Sequence, residues 1–100
     1  MKHIISIQRQ SPAEIGWVQV PYYIKENNNF FLANLNQPIA KNEYDSLESD
    51  YYVKIDPPLQ IDDDQGIWID LDNNVWVANQ KNPFIETEKS FKLDFKLSEI

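Results

Sequence analysis

The side chains best able to do chemistry crowd into one stretch, DDDQGIWIDLDNNVWVANQ at positions 62–80. Asp62, Asp63 and Asp64 form an unbroken carboxylate triplet, Asp70 and Asp72 follow, and Trp68 and Trp76 stand among them. Oxygen-rich runs bind calcium when their spacing matches a coordinating loop. Setting Gly66 at the glycine position of an EF-hand loop puts Ile61 where the first carboxylate ligand belongs, so that ligand is missing. The flanking residues also alternate like strands instead of repeating like helices. The stretch therefore predicts no metal site, and nothing elsewhere implies a cofactor. Three successive aspartates are tolerated where solvent and salt screen them, which places them in an exposed turn.

Enzymatic chemistry finds few candidates. A nucleophile needs a base and an orienting group within hydrogen-bond reach. Cysteine is absent, and the single histidine, His3, lies in a strand-like segment near the N-terminus. Glycoside hydrolysis asks only for two carboxylates, but it also asks for a cleft, and short strands in a chain of 100 residues leave little material for one. No phosphate-cradling glycine loop or dinucleotide fingerprint occurs. The expectation is a protein without enzymatic activity.

Charge is the stronger signal. The net charge is −7, which opposes direct binding to nucleic acid or to an anionic membrane. Ten of the sixteen acids lie between positions 43 and 72 with Lys54 as the only base there, so this window carries −9 and the rest of the chain +2. Glu43, Asp45, Glu48 and Asp50 make up its first part; Asp62, Asp63, Asp64, Asp70 and Asp72 dominate its second.

The elements that must position these groups are mostly strands. The length suits one domain over residues 1–100, and 42% hydrophobic residues suit a folded core. In IGWVQVPYYIK, Val18, Val20, Tyr22 and Ile24 share a face. A four-residue loop over Glu26, Asn27, Asn28 and Asn29 then pairs Ile24 with Phe31, Tyr22 with Ala33 and Val20 with Leu35. Pro21 cannot donate to a ladder, which marks this strand as an edge or a bulge. HIISIQR predicts a first strand with Ile5 and Ile7 on one face. YYVKID predicts another, stopped by Pro57 and Pro58, and SFKLDFKL a clean last strand with Phe91, Leu93, Phe95 and Leu97 inward. One short helix is expected near residues 40–49, with Tyr44 and Leu47 at helical spacing. Together these predict a mostly β, β-rich α+β fold: an antiparallel sheet of about six short strands, curled into a sandwich or partly open barrel.

Within positions 66–79, a three-residue loop of Asp72, Asn73 and Asn74 pairs Leu71 with Val75, Ile69 with Val77 and Ile67 with Asn79. That register gathers the aliphatic residues on one face and puts Trp68, Asp70 and Trp76 on the other, with Asp70 across from Trp76 and Asn74 left-handed. Two indoles beside a carboxylate fit a contact surface of large area and low entropy cost; the same face fits equally a buried one, packed under a second sheet or the helix.

These features favour a non-enzymatic, acidic protein-binding module. It would act as an inhibitor or immunity-type protein, similar in principle to anti-restriction and anti-CRISPR decoys, and dock on a basic partner such as a nuclease or another nucleic-acid-binding protein. The expected binding residues are Glu43, Asp45, Glu48, Asp50, Asp62, Asp63, Asp64, Trp68, Asp70, Asp72 and Trp76. A structural subunit of a virion or secretion machine, associating through sheet edges, is one alternative. A carbohydrate-binding module stacking sugars on Trp17, Trp68 and Trp76 is another. The absence of cysteine and of a long apolar leader predicts a cytoplasmic setting, and the preference for isoleucine, asparagine and lysine points to an AT-rich genome, bacterial or phage.

Overall fold

A computed structural model of the chain describes residues 2–9, 14–33, 37–47, 51–85, 89–95 and 97. Among these, the strands in chain order are β1 (Lys2–Gln8), β2 (Val18–Gln19), β3 (Tyr22–Glu26), β4 (Asn29–Ala33) and β5 (Gln37–Ile39). One helix, α1 (Lys41–Asp45), precedes β6 (Tyr52–Ile61), β7 (Gln65–Ile69), β8 (Val75–Asn79) and β9 (Phe91–Lys92). All pairings are antiparallel, in a five-stranded sheet ordered β5-β4-β3-β1-β6 and a four-stranded sheet ordered β2-β7-β8-β9. The predicted β-rich fold with one short helix is thus the observed one. No described helix is long and apolar enough to cross a membrane.

The core lies between the sheets. Ile4, Ile7, Tyr22, Ala33 and Ile61 of the first sheet meet Ile67, Ile69, Val75 and Val77 of the second, with Val20 and Leu97 closing the layer. Each fully buried aliphatic side chain here contributes roughly 1.5–3 kcal/mol.

The long run at residues 15–25 is two strands rather than one. Val18 and Gln19 pair with β7 in one sheet, and β3 begins at Tyr22 in the other. Val20 and Pro21 make the crossing: the Val20 N–H donates to the Ile67 carbonyl, and the Pro21 carbonyl accepts from the Gln8 N–H. Proline's missing donor therefore falls between ladders, so neither the edge nor the bulge expected at Pro21 is formed: β3 is an interior strand flanked by β4 and β1, and the irregularity of its ladder with β1 lies between Ile4 and Ser6. The predicted pairs Ile24–Phe31 and Tyr22–Ala33 are present. The loop is shorter than expected, because Glu26 pairs with Asn29 and only Asn27 and Asn28 turn, both with positive φ (49° and 66°). Two left-handed residues suit the twist of a tight hairpin, and asparagine tolerates that conformation. Leu35, the expected partner of Val20, lies outside the described residues.

Two other expectations fail for reasons of tertiary context. Pro57 and Pro58 do not end their strand. β6 runs through them as the edge of its sheet, and its pairing with β1 shifts there: Ile4 faces Leu59 while Ser6 faces Lys54. At an edge, a strand can carry prolines in a bulge. The same irregularity changes the phase of β1, so Ile4 and Ile7 both point into the core, with Ile5 only half-buried. Among the described residues of SFKLDFKL, a strand forms only over the two residues of β9, followed by a bridge from the Leu93 N–H to the Val75 carbonyl. The alternation holds only from Leu93: Leu93, Phe95 and Leu97 pack on the core, whereas Phe91, expected on the same face, is exposed.

Helix α1 is too short to persist alone. Tyr44 anchors it to the outer face of the five-stranded sheet. Its ring stacks on Phe30 (5.0 Å) and meets Tyr23 edge-on (5.4 Å), and its hydroxyl hydrogen-bonds Ser6 Oγ at 3.0 Å.

Candidate functional site

The hairpin of β7 and β8 sets Ile67 opposite Val77, Ile69 opposite Val75 and Trp68 opposite Trp76. This register is two residues away from the expected one. A slip of two preserves the face of every side chain, whereas a slip of one inverts it. The aliphatic residues therefore still face the core, but the connection grows to residues 70–74, Leu71 leaves the strand for solvent, and the left-handed residue is Asn73 (φ 64°).

Asp70 organises that loop. Its Oδ1 accepts the backbone N–H groups of Asp72 and Asn74 (both 2.9 Å), and its Oδ2 accepts the Asn74 amide (3.1 Å) and the Trp76 indole N–H (2.9 Å). Desolvation pushes the carboxyl pKa upward. The bonds from Trp76, Asn74 and Asp72 outweigh it and hold the group below its ordinary value. Asp70 is thus committed to the protein's own architecture.

The three tryptophans meet different fates. Trp68 is 8% exposed and donates to the Asn79 carbonyl, so it supports the sheet and offers a partner almost nothing. Trp76 is half-buried on the outer face of the four-stranded sheet. Trp17 packs against it with ring centroids 5.7 Å apart and meets Phe84 edge-on at 5.6 Å. Trp17 has φ 61°, a left-handed conformation costly for a bulky residue and common where function demands a strained placement. Leu71 lies beside Gly16, where an added Cβ would come within 3.7 Å of its Cγ. With Ile15 72%, Leu71 61% and Phe84 63% exposed, an apolar surface runs from residue 15 across Trp17 and Trp76 to Phe84. Ile15, Leu71 and Phe84 were not among the expected binding residues. Exposed loop residues carry no periodicity that would single them out.

The acids do not form one face. Glu43 and Asp45 are exposed on α1, over the outer face of the five-stranded sheet, and Asp45 is paired with Lys41. Asp62, Asp63 and Asp64 are exposed in the turn between β6 and β7. Backbone contacts tie this turn: the Gln65 and Gln80 N–H groups donate to the Asp62 and Asp64 carbonyls, and the Asp62 N–H donates to Gln65 Oε1. Asp70 and Asp72 lie at the far end of β7, about 20 Å away at the ~3.3 Å rise of a strand. Glu48 and Asp50 lie outside the described residues. Among the described residues, no three acidic or histidine side chains group so as to hold a metal ion.

A second concavity opens beside β1 and β3. A cavity of about 430 Å³ is bounded by Lys2, Tyr22, Ile24, Glu26, Phe31, Ala33, Asp63 and Gln80. The Lys2 ammonium donates to the Tyr22 hydroxyl (2.8 Å) and the Gln65 carbonyl (2.6 Å). Burial lowers the Lys2 pKa, opposed by the charges of Asp63 and Asp64, and burial pushes the Tyr22 hydroxyl up to about 12. Nothing in the sequence marked this cavity, because its walls come from segments far apart in the chain.

Comparison with protein-family models, with curated proteins and with solved structures returns no match.

Proposed function

We propose that this protein is a non-enzymatic protein-binding module whose partner is a basic, nucleic-acid-binding protein, and that it acts by occupying that partner's surface. The observation that carries this reading is the apolar surface made by exposed Ile15, Leu71 and Phe84 with half-buried Trp17 and Trp76, bordered by the exposed Asp72. A contiguous aromatic and aliphatic patch outside the core marks an interaction surface, and aromatic anchors with an acidic border and a net charge of −7 favour a partner of opposite sign. The sole histidine fits the non-enzymatic part: His3 is exposed and its Nε2 is engaged by the Gln60 amide at 2.8 Å.

The alternatives draw less support. Sheet edges among the described residues are short or interrupted by proline: β2 and β9 span two residues each, β5 contains Pro38, and β6 contains Pro57 and Pro58. Such edges offer little ladder to a second chain. As sugar platforms the tryptophans are poorly placed, since Trp68 is buried and the Trp17 and Trp76 planes are inclined by 56°.

The test is affinity capture at low and high salt, followed by calorimetry with the purified partner. Combining Leu71→Asp with Phe84→Ala should weaken binding about tenfold or more, the effect of losing anchor residues. Affinity unchanged in that double variant sinks the proposal.

A further inference from the structure

We propose that the cavity beside Lys2 captures a small neutral aldehyde with an apolar body, which the Lys2 amine holds covalently as an imine. The proposal goes beyond the docking reading and does not depend on it. The polarity of the occupant follows from the lining. The N-terminal ammonium holds Asp63. The charges left at the cavity are then the Lys2 ammonium and the exposed Glu26 carboxylate, and they balance. A charged ligand of either sign gives up its hydration there without a matching gain. Ile24, Phe31 and Ala33 supply an apolar wall, which favours a hydrocarbon body over water. The volume of about 430 Å³ is within the range of small-molecule sites.

Lys2 is the reactive group. Lys25, Lys54 and Lys81 are exposed, whereas Lys2 is half-buried and donates to two neutral acceptors, the Tyr22 hydroxyl (2.8 Å) and the Gln65 carbonyl (2.6 Å). Neither acceptor offsets burial of the charge as a bonded carboxylate does. Desolvation therefore favours the uncharged, nucleophilic amine, with the charges of Asp63 and Asp64 opposing it in part. The reaction balances without an oxidant or reductant. The ammonium releases one proton to water, and the amine lone pair forms a C–N bond to the carbonyl carbon. The proton lost from nitrogen passes to the carbonyl oxygen, giving a carbinolamine. That hydroxyl takes up a proton and leaves as water, and the protonated imine keeps the single positive charge that Lys2 began with. The Tyr22 hydroxyl, pushed up to about 12 by burial, stays protonated at neutral pH. Standing 2.8 Å from the reacting nitrogen, it donates to the carbonyl oxygen as negative charge develops there.

The test needs no partner. The full chain is incubated at neutral pH with hexanal or, in parallel, with acetaldehyde, each with cyanoborohydride to reduce the imine. Peptide mapping follows alkylation of every lysine, and fragmentation separates Lys2 from the N-terminal amine. With hexanal, Lys2 should react roughly tenfold faster than the exposed Lys54, the scale of burying two methylene groups. With acetaldehyde, too short to lie along the apolar wall, that ratio should fall several-fold. Ile24→Ser should bring the hexanal ratio down towards the acetaldehyde one, and Tyr22→Phe should slow Lys2 while leaving Lys54 unchanged. Amide spectra of both variants report whether the fold is intact. Three results on the unaltered chain each overturn the proposal: Lys2 reacting no faster than Lys54, labelling confined to the N-terminal amine, or equal ratios for the two aldehydes.

Discussion

Two acidic turns bracket β7, and they use the same side chain in opposite ways. At residues 62–64 the backbone groups do the structural work, through bonds to Gln65 and Gln80, and the three aspartates are exposed. At residues 70–74 the carboxylate of Asp70 does it, collecting four hydrogen bonds from Asp72, Asn74 and Trp76. The difference is one of competing donors. The shorter turn closes with two main-chain bonds and one from the Asp62 N–H to the Gln65 side chain, whereas in the longer loop the Asp72 and Asn74 N–H groups both turn to the Asp70 carboxylate. Local charge density therefore does not separate a binding carboxylate from an architectural one; the number of donors aimed at it does.

The sharpest way to break this comparison is to remove the two kinds of carboxylate separately. Asp70→Ala should destabilise the protein by about 2 kcal/mol, since the indole N–H and the Asn74 groups lose a charged acceptor; urea denaturation monitored by tryptophan fluorescence reads it directly. A shift indistinguishable from zero would show that water replaces the carboxylate without penalty. A charge-reversal test of partner binding must for the same reason leave Asp70 untouched.

A smaller effect concerns pH. Folding lowers the Asp70 pKa, so the folded state binds that proton less readily than the unfolded chain. The resulting stabilisation is complete above the unfolded value of about 4 and is lost as pH falls through the lower folded value. Asp70→Asn removes this contribution. The stability gap between wild type and Asp70→Asn should be constant above about pH 5 and narrow in more acidic solution. A gap that widens on acidification would mean that the sign assigned to Asp70 is wrong.

The smallest effect is expected at the other turn. Replacing Asp62, Asp63 and Asp64 together by asparagine should change stability by no more than about 0.5 kcal/mol per site, as for exposed surface residues. It should also reduce the salt sensitivity of partner association, because exposed charges act mainly through screened long-range attraction. If the triple variant unfolds as readily as Asp70→Ala, the contrast between the turns disappears.

Much of the fold was legible because alternation has a period of two. The β3–β4 pairs and the inward face of Ile67, Ile69, Val75 and Val77 follow from it, and even the mistaken hairpin register kept the faces correct because it erred by two. What misled was local punctuation. Pro21 proved to be a crossing point instead of an edge marker, and Pro57 and Pro58 a bulge instead of a stop, since a proline's consequence depends on whether its missing donor faces a neighbouring strand. Of the expected binding residues, the exposure of Asp62, Asp63, Asp64 and Asp72 was readable from their charge. The burial of Trp68 and the commitment of Asp70 were not.

By itself the sequence determined a β-rich chain with an apolar side to each hairpin, an acidic middle third and no thiol chemistry. These follow from composition and short-range periodicity, which act through neighbours along the chain. Only the tertiary structure decided that the described acids of the expected binding set divide among three places, that Trp17 reaches Trp76 and Phe84, and that Lys2 borders a cavity with Glu26 and Asp63. Those outcomes depend on which strands become neighbours across two sheets. That choice is made by the burial of the whole core, and no local stretch of residues encodes it.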